Sequence, residues 1–180
     1  MNIESQRLRF CKYTDNEFEY LADLLNNPEM VKYIGEGKTK DREGAKNFLE
    51  WIYHTYNLGS GLGLMVLEDK ERNNQVGHAG LVPQVIEGEE EIEIGYWVSK
   101  EHWGRGYATE AARALLHYGH HQLRLTRFIS LIQPGNTASQ RVAEKIGMTL
   151  EKMIIQGNQD VYVYSTTKYS KFKSTSLNGN

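Results

Sequence analysis

The chain is 180 residues long, 39% hydrophobic and 24% charged, which suits one globular domain and excludes disordered, collagen-like and coiled-coil proteins. Lys and Arg total 21 against 23 Asp and Glu, a formal net charge of -2, a balance that gives neither nucleic acid nor an anionic membrane an electrostatic hold. A lone cysteine, Cys11, excludes internal disulfides and a cysteine-based zinc site, and fits a reducing compartment. The opening MNIESQRLRF has no signal-peptide core, and no apolar run nears the roughly 20 residues of a membrane helix. These features predict a cytoplasmic domain over residues 1–169 and a flexible polar tail, SKFKSTSLNGN, over 170–180.

Leu8 to Tyr13 read as a strand, with Cys11 as a small buried hydrophobe on it. Asp15 stands where a helix cap belongs, ahead of a helix with Phe18, Leu21, Leu24 and Leu25 on one stripe. Asn27-Pro28 ends it. A second helix runs from Arg42 to Tyr56 with Phe48 and Ile52 on one face, and Trp51, Tyr53 and Tyr56 read as packing residues. Strands follow at Leu62–Glu68 and Val76–Val82, joined by the turn ERNN, and EIEIGYWV (Glu91–Val98) alternates with period two. The acidic run GEEEIE, Gly88–Glu93, which overlaps the start of that segment, reads as a charged hairpin end.

A Gly-rich stretch, HWGRGY, leads into a helix from Ala108 to His121. His117, His120 and His121 have a spacing that imitates a metal site, but they read as a solvated face opposite Ala111, Ala112, Leu115 and Leu116. Arg127–Ile132 is the next strand. Asn136 opens the helix TASQRVAEKI, closed by Gly147, and strands Met148–Ile155 and Asp160–Thr166 end the chain around QGNQ. The order predicts an α/β (α+β) fold, a mixed sheet with helices packed on it.

The stretch GYWVSKEHWGRGYATE, Gly95 to Glu110, carries the most chemistry. A strand, a loop with Gly104 and Gly106, and the immediate start of a helix leave backbone N–H groups unpaired at a positive dipole end, which is a site for phosphate. Arg105 adds a full positive charge. A dinucleotide fingerprint fails, because Thr109 stands where its third glycine belongs and Leu123, Arg124 and Leu125 lie where its acidic residue would be. No nucleotide-hydrolase P-loop occurs either.

HWGRGYATEA after EIGYWV, followed by GNTASQRVAEKIGM, resembles the GNAT superfamily of acetyl-CoA-dependent N-acetyltransferases, in its RimJ/RimL-like branch of ribosomal-protein N-terminal acetyltransferases. Trp103 takes the Gln/Arg place of that family's pyrophosphate loop. The resemblance implies a mostly antiparallel sheet of six to seven strands with a splayed central pair and helices on both faces. It also implies acetyl-CoA as donor, without a metal, and an amine-bearing acceptor, a peptide N-terminus or a small molecule. The protein would be a monomer or homodimer. The backbone from Gly104 through Arg105, Gly106, Tyr107 and Ala108 to Thr109 would hold the pyrophosphate, the strand Tyr96–Val98 would pair with the pantetheine arm, and Asn136 would bond to it. Asn136 also stands where it can simply cap its helix.

Acetyl transfer to an amine needs a base, an oxyanion donor and a proton for the leaving thiolate. Alternation puts Glu93 on the face away from Ile92, Ile94, Tyr96 and Val98, so Glu93 is the candidate base, with His78 as rival and a buried, satisfied imidazole as the plainer reading of His78. Backbone near Trp97 and Val98 would bind the oxyanion. Ser139, one turn after Asn136, is the candidate acid, and Tyr162 or Tyr164 are alternatives among 11 tyrosines. A CoA-binding sensor without turnover stays open as the other class.

Overall fold

The computed structural model describes Ile3 and residues 5–166; the tail expected at 170–180 lies outside them. Seven strands form one sheet in the order β1-β2-β3-β4-β5-β7-β6. They are β1 (Leu8–Lys12), β2 (Gly63–Asp69), β3 (Asn74–Ile86), β4 (Glu89–Val98), β5 (Ile129–Ile132), β6 (Thr149–Gln156) and β7 (Gln159–Ser165). Every neighbouring pair is antiparallel except β4 and β5. The helices are α1 (Phe18–Asn26), α2 (Pro28–Val31), α3 (Arg42–Leu58), α4 (Tyr107–His121) and α5 (Thr137–Lys145).

Period-two alternation sorts the strand residues to two faces. On one face Leu64, Val66 and Val82 pack with Leu21 and Leu25 of α1 and Ala45, Leu49 and Ile52 of α3. On the other, Leu67, Ala79, Leu81 and Ile94 pack with Ala111, Ala112, Leu115 and Tyr118 of α4. A third cluster, Ile86, Ile129, Ile154, Val161 and Val163, continues the first face across β5, β7 and β6, and no described helix contributes to it. Each fully buried Leu or Ile in these clusters contributes roughly 1.5–3 kcal/mol. The long helices α3 and α4 therefore hold the sheet from opposite sides.

The local signals were mostly where the sequence put them. Asn27 caps α2 by accepting from Glu29 N–H at 3.0 Å, and Asp41 caps α3 by accepting from Gly44 N–H at 2.8 Å. The hairpin β6–β7 turns on Gly157 and Asn158, both with positive φ (56° and 62°), as its two-residue loop requires. Ahead of α1 the capping residue is Thr14, which caps the 3-10 turn leading into the helix, not Asp15. Thr14 and Glu17 form a reciprocal capping box around the single 3-10 turn Asp15–Glu17, so Asp15 is inside the turn and accepts from the Tyr53 hydroxyl instead (2.8 Å). Cys11 is half-buried rather than buried, because β1 is an edge strand.

Candidate active site

The parallel strands β4 and β5 meet at a single residue pair, Glu93 with Ile129. The Ser130 hydroxyl extends that contact by donating to the Ile94 carbonyl at 2.9 Å. Past this point the strands separate, and a cavity of about 1000 Å³ opens between them. Its walls come from both faces of the sheet, so it passes through the sheet at the gap.

Alternation decides which β4 groups face the gap. Ser99 N–H bonds to the Val76 carbonyl on β3 (2.9 Å), and the Ile94 carbonyl points to β5. Trp97 therefore spends its backbone groups on β3, whereas Tyr96 and Val98 present theirs to the gap. The Val98 carbonyl is taken by the Trp103 indole N–H at 2.6 Å, which leaves the Val98 N–H open.

At the cavity's far end, Gly104 and Gly106 have φ of 73° and 80°. Gly106 is the residue before α4 and occupies the left-handed region. A Cβ on it would meet only the Arg7 guanidinium, at 3.6 Å, so within the protein the conformation, not crowding, demands glycine. Glu110 N–H to the Gly106 carbonyl, at 3.0 Å, is the first bond of α4. The N–H groups ahead of it, through Tyr107, Ala108 and Thr109, form an array at the helix's positive end. Gly104, Gly106 and these three residues line the cavity. Arg105 does not; its carbonyl accepts from Arg7 at 3.0 Å.

Arg7 carries no mark of its role in the sequence. Its guanidinium also binds Glu110 (2.7 Å) and lies 4.5 Å over the Tyr107 ring, and the Tyr107 hydroxyl donates to Asp69. These contacts fasten β1 and the end of β2 to the first turn of α4. Their partners lie from 38 to 103 residues apart in the chain, and no spacing rule reaches that far.

Asn136 and Ser139 line the cavity on the α5 side. Asn136 caps α5, its side-chain oxygen accepting from Ser139 N–H at 3.2 Å, so the plainer role is realised and its amide remains available to the cavity. The Tyr96 hydroxyl donates to the Ser139 carbonyl at 2.9 Å, and burial pushes this phenol well above its usual range. Tyr162 and Tyr164 do not line the cavity; Tyr164 is buried under α5 and donates to Gln140. Both share a sheet face with Tyr96, but they stand on β7, one strand beyond β5, which sets them off from the gap that Tyr96 lines.

On the opposite face Glu93 lines the cavity and accepts from the Gln84 amide at 2.7 Å. Desolvation raises its carboxyl above the ordinary range, against the pull of Gln84 and the Leu131 backbone. His78 is off the cavity, fully buried, and pushed down to about 3 by burial. Its Nδ1 meets the Tyr13 hydroxyl at 2.8 Å, but its Nε2 has no partner, so it is buried yet only half satisfied. Trp51, read as packing, is 39% exposed and stands on the cavity wall.

Among the described residues no group of three or more His, Cys, Asp or Glu could hold a metal ion. His117 and His121 stack with centroids 4.2 Å apart on the exposed side of α4. His120 leaves that face, because its Nδ1 reaches the Leu125 carbonyl (2.7 Å) and its ring packs on Phe128. No described helix is long and apolar enough to cross a membrane.

Residues 7–149 match the acetyltransferase (GNAT) domain family. An N-acetyltransferase of Bacillus subtilis (strain 168), YnaD, is 32% identical over 171 residues, covering 92% of this chain and 96% of that protein. The structure of a GNAT-family acetyltransferase from Bacillus anthracis superposes with a TM-score of 0.77 at 31% identity, over 94% of this chain and 100% of that one. RimL, a ribosomal L7/L12 alpha-N-protein acetyltransferase solved with coenzyme A, superposes with a TM-score of 0.76 over 92% and 97% of the two chains, and its 19% identity makes this a likeness of fold.

Proposed function

This chain belongs to the GNAT acetyltransferase family and is an acyltransferase, and we propose that it moves the acetyl group of acetyl-CoA to a primary amine by direct attack in a ternary complex. One observation carries the reading. A single cavity holds both the unpaired N–H array at the start of α4 and the gap between β4 and β5, which suits a diphosphate at one end and a thioester at the other.

Gly104, Gly106, Tyr107, Ala108 and Thr109 hold the pyrophosphate through their backbone, and Arg105 adds charge from outside the cavity. Tyr96 pairs with the pantetheine arm, the Val98 N–H faces its thioester end, and the Asn136 amide bonds to the arm. At neutral pH the acceptor arrives as an ammonium. Glu93, charged and desolvated, takes its proton through a water. The freed nitrogen attacks the thioester carbon from the Glu93 face, and the Val98 N–H receives the oxyanion. The C–S bond then breaks, the departing thiolate takes a proton from the Ser139 hydroxyl, and the second proton shed by the new amide nitrogen restores that hydroxyl, with the Tyr96 phenol beside it.

The acceptor is a protein N-terminus or a small-molecule amine. The likeness to RimL, whose acceptor is a ribosomal protein, supports the first, and fold alone does not select between them. The lone cysteine supports a reducing, cytoplasmic setting.

Melting with saturating acetyl-CoA, CoA or NAD tests the donor. A ligand at about 100 times its Kd adds roughly 2.7 kcal/mol, a rise of roughly 5–10 °C for a chain this long. Both CoA forms should give it and NAD should not; no shift with CoA withdraws the reading. Amine-dependent thiol release then separates an enzyme from a CoA-binding sensor.

A further inference from the structure

The Glu93 side of the cavity carries a wall that the transfer chemistry does not use. Phe48, Trp51 and Trp97 form a run of aromatic rings, with centroids 5.2 Å apart for Phe48–Trp51 and 5.9 Å for Phe48–Trp97, the latter pair stacked. Leu64, Val82 and Leu131 complete an apolar floor beside Glu93. An exposed tryptophan ring lining a cavity is unsatisfied apolar surface aimed at a ligand.

Charge narrows the ligand further. Three carboxylates line this cavity, Glu29, Glu36 and Glu93. Glu29 is paired with Lys100, and Glu36 with Lys38 at 2.6 Å, so the charge at the mouth is already compensated. Glu93 makes no ion pair among the described residues and accepts only from amide groups. The half-cavity thus offers one uncompensated negative charge at its floor and aromatic surface above it.

Building on the acetyl-transfer reading, we propose that the acceptor is a monoamine with one cationic nitrogen joined to an apolar, ring-bearing body, and not a polyamine. The ammonium seats at Glu93 while the body lies against Trp51 and Phe48. A chain of several ammonium groups would find one uncompensated carboxylate on the cavity wall, the other two being already paired.

The test compares 2-phenylethylamine, n-propylamine and spermidine as acceptors by kcat/KM, and as ligands by quenching of tryptophan fluorescence. Expected is a preference of about tenfold or more for 2-phenylethylamine over each of the others, from burial of its ring. Trp51→Ala, at a partly exposed position, should cut the preference over n-propylamine about fivefold, and Phe48→Ala should do the same. Spermidine equal to or better than 2-phenylethylamine overturns the proposal, as does a preference that survives both variants. If no amine releases thiol, the transfer reading falls by itself. Fluorescence then still decides the subsite: quenching by 2-phenylethylamine at lower concentration than by spermidine supports it, and the reverse overturns it.

Discussion

At the residue scale, Glu93 joins two opposing demands. The base must be charged to accept a proton, yet the cavity that excludes water raises its carboxyl above the ordinary range. Wild-type turnover should therefore fall on acidification at a pH above that of a free glutamate. In Glu93→Gln, kcat should drop about a hundredfold near pH 7, with the KM for acetyl-CoA little changed. The deficit should shrink toward pH 10, where the acceptor amine loses its proton unaided. Stability moves the other way. A carboxyl whose folded pKa is raised favours the fold below its unfolded value and loses that contribution as pH rises through the folded one. Glu93→Gln should consequently melt above wild type at pH 7, and a lower melting point there would argue that the charge is held by something other than Gln84 and backbone.

At the element scale, the start of α4 depends on two constraints of different origin. One is local: Gly106 must adopt φ of 80° so that the N–H groups after it converge. The other is distant: Arg7 ties the first turn to β1 through Glu110, Tyr107 and the Arg105 carbonyl. Gly106→Glu puts a carboxylate where the phosphates belong and strains the turn by about 1–2 kcal/mol. It should abolish the melting shift given by acetyl-CoA while the protein still unfolds in one cooperative transition. A retained shift would mean that the diphosphate is bound elsewhere. Gly106 was legible because glycine leaves a local mark; Arg7 was not, because an arginine just ahead of a strand carries no sign of which carboxylate it will meet.

At the scale of the whole molecule, the sheet is two antiparallel sections, β1 to β4 and β5 to β7 to β6, joined through one residue pair. Where they part, backbone groups of Tyr96 and Val98 lack a strand partner and are open to exchange with solvent. Hydrogen exchange should therefore be fast at the Val98 amide and slow at Trp97, whose N–H is used by β3. Saturating acetyl-CoA should slow Tyr96 and Val98 selectively. Equal protection of Trp97 and Val98 in the free protein would contradict a splayed pair.

The sequence by itself determined the order of the seven strands and of the longer helices, though not the short α2, together with the opposite faces of Glu93 and Tyr96, the glycine turn and the cap at Asn136. Each follows from neighbours within one turn or two strand residues, where periodicity and backbone preference act directly. Only the tertiary structure decided the rest. It removed His78, Tyr162 and Tyr164 from the cavity, brought Trp51 onto its wall, set Arg7 under α4, and chose Val98 over Trp97 at the gap. Those outcomes depend on which elements pack together and where two strands cease to pair, and such long-range geometry leaves no local pattern in the chain.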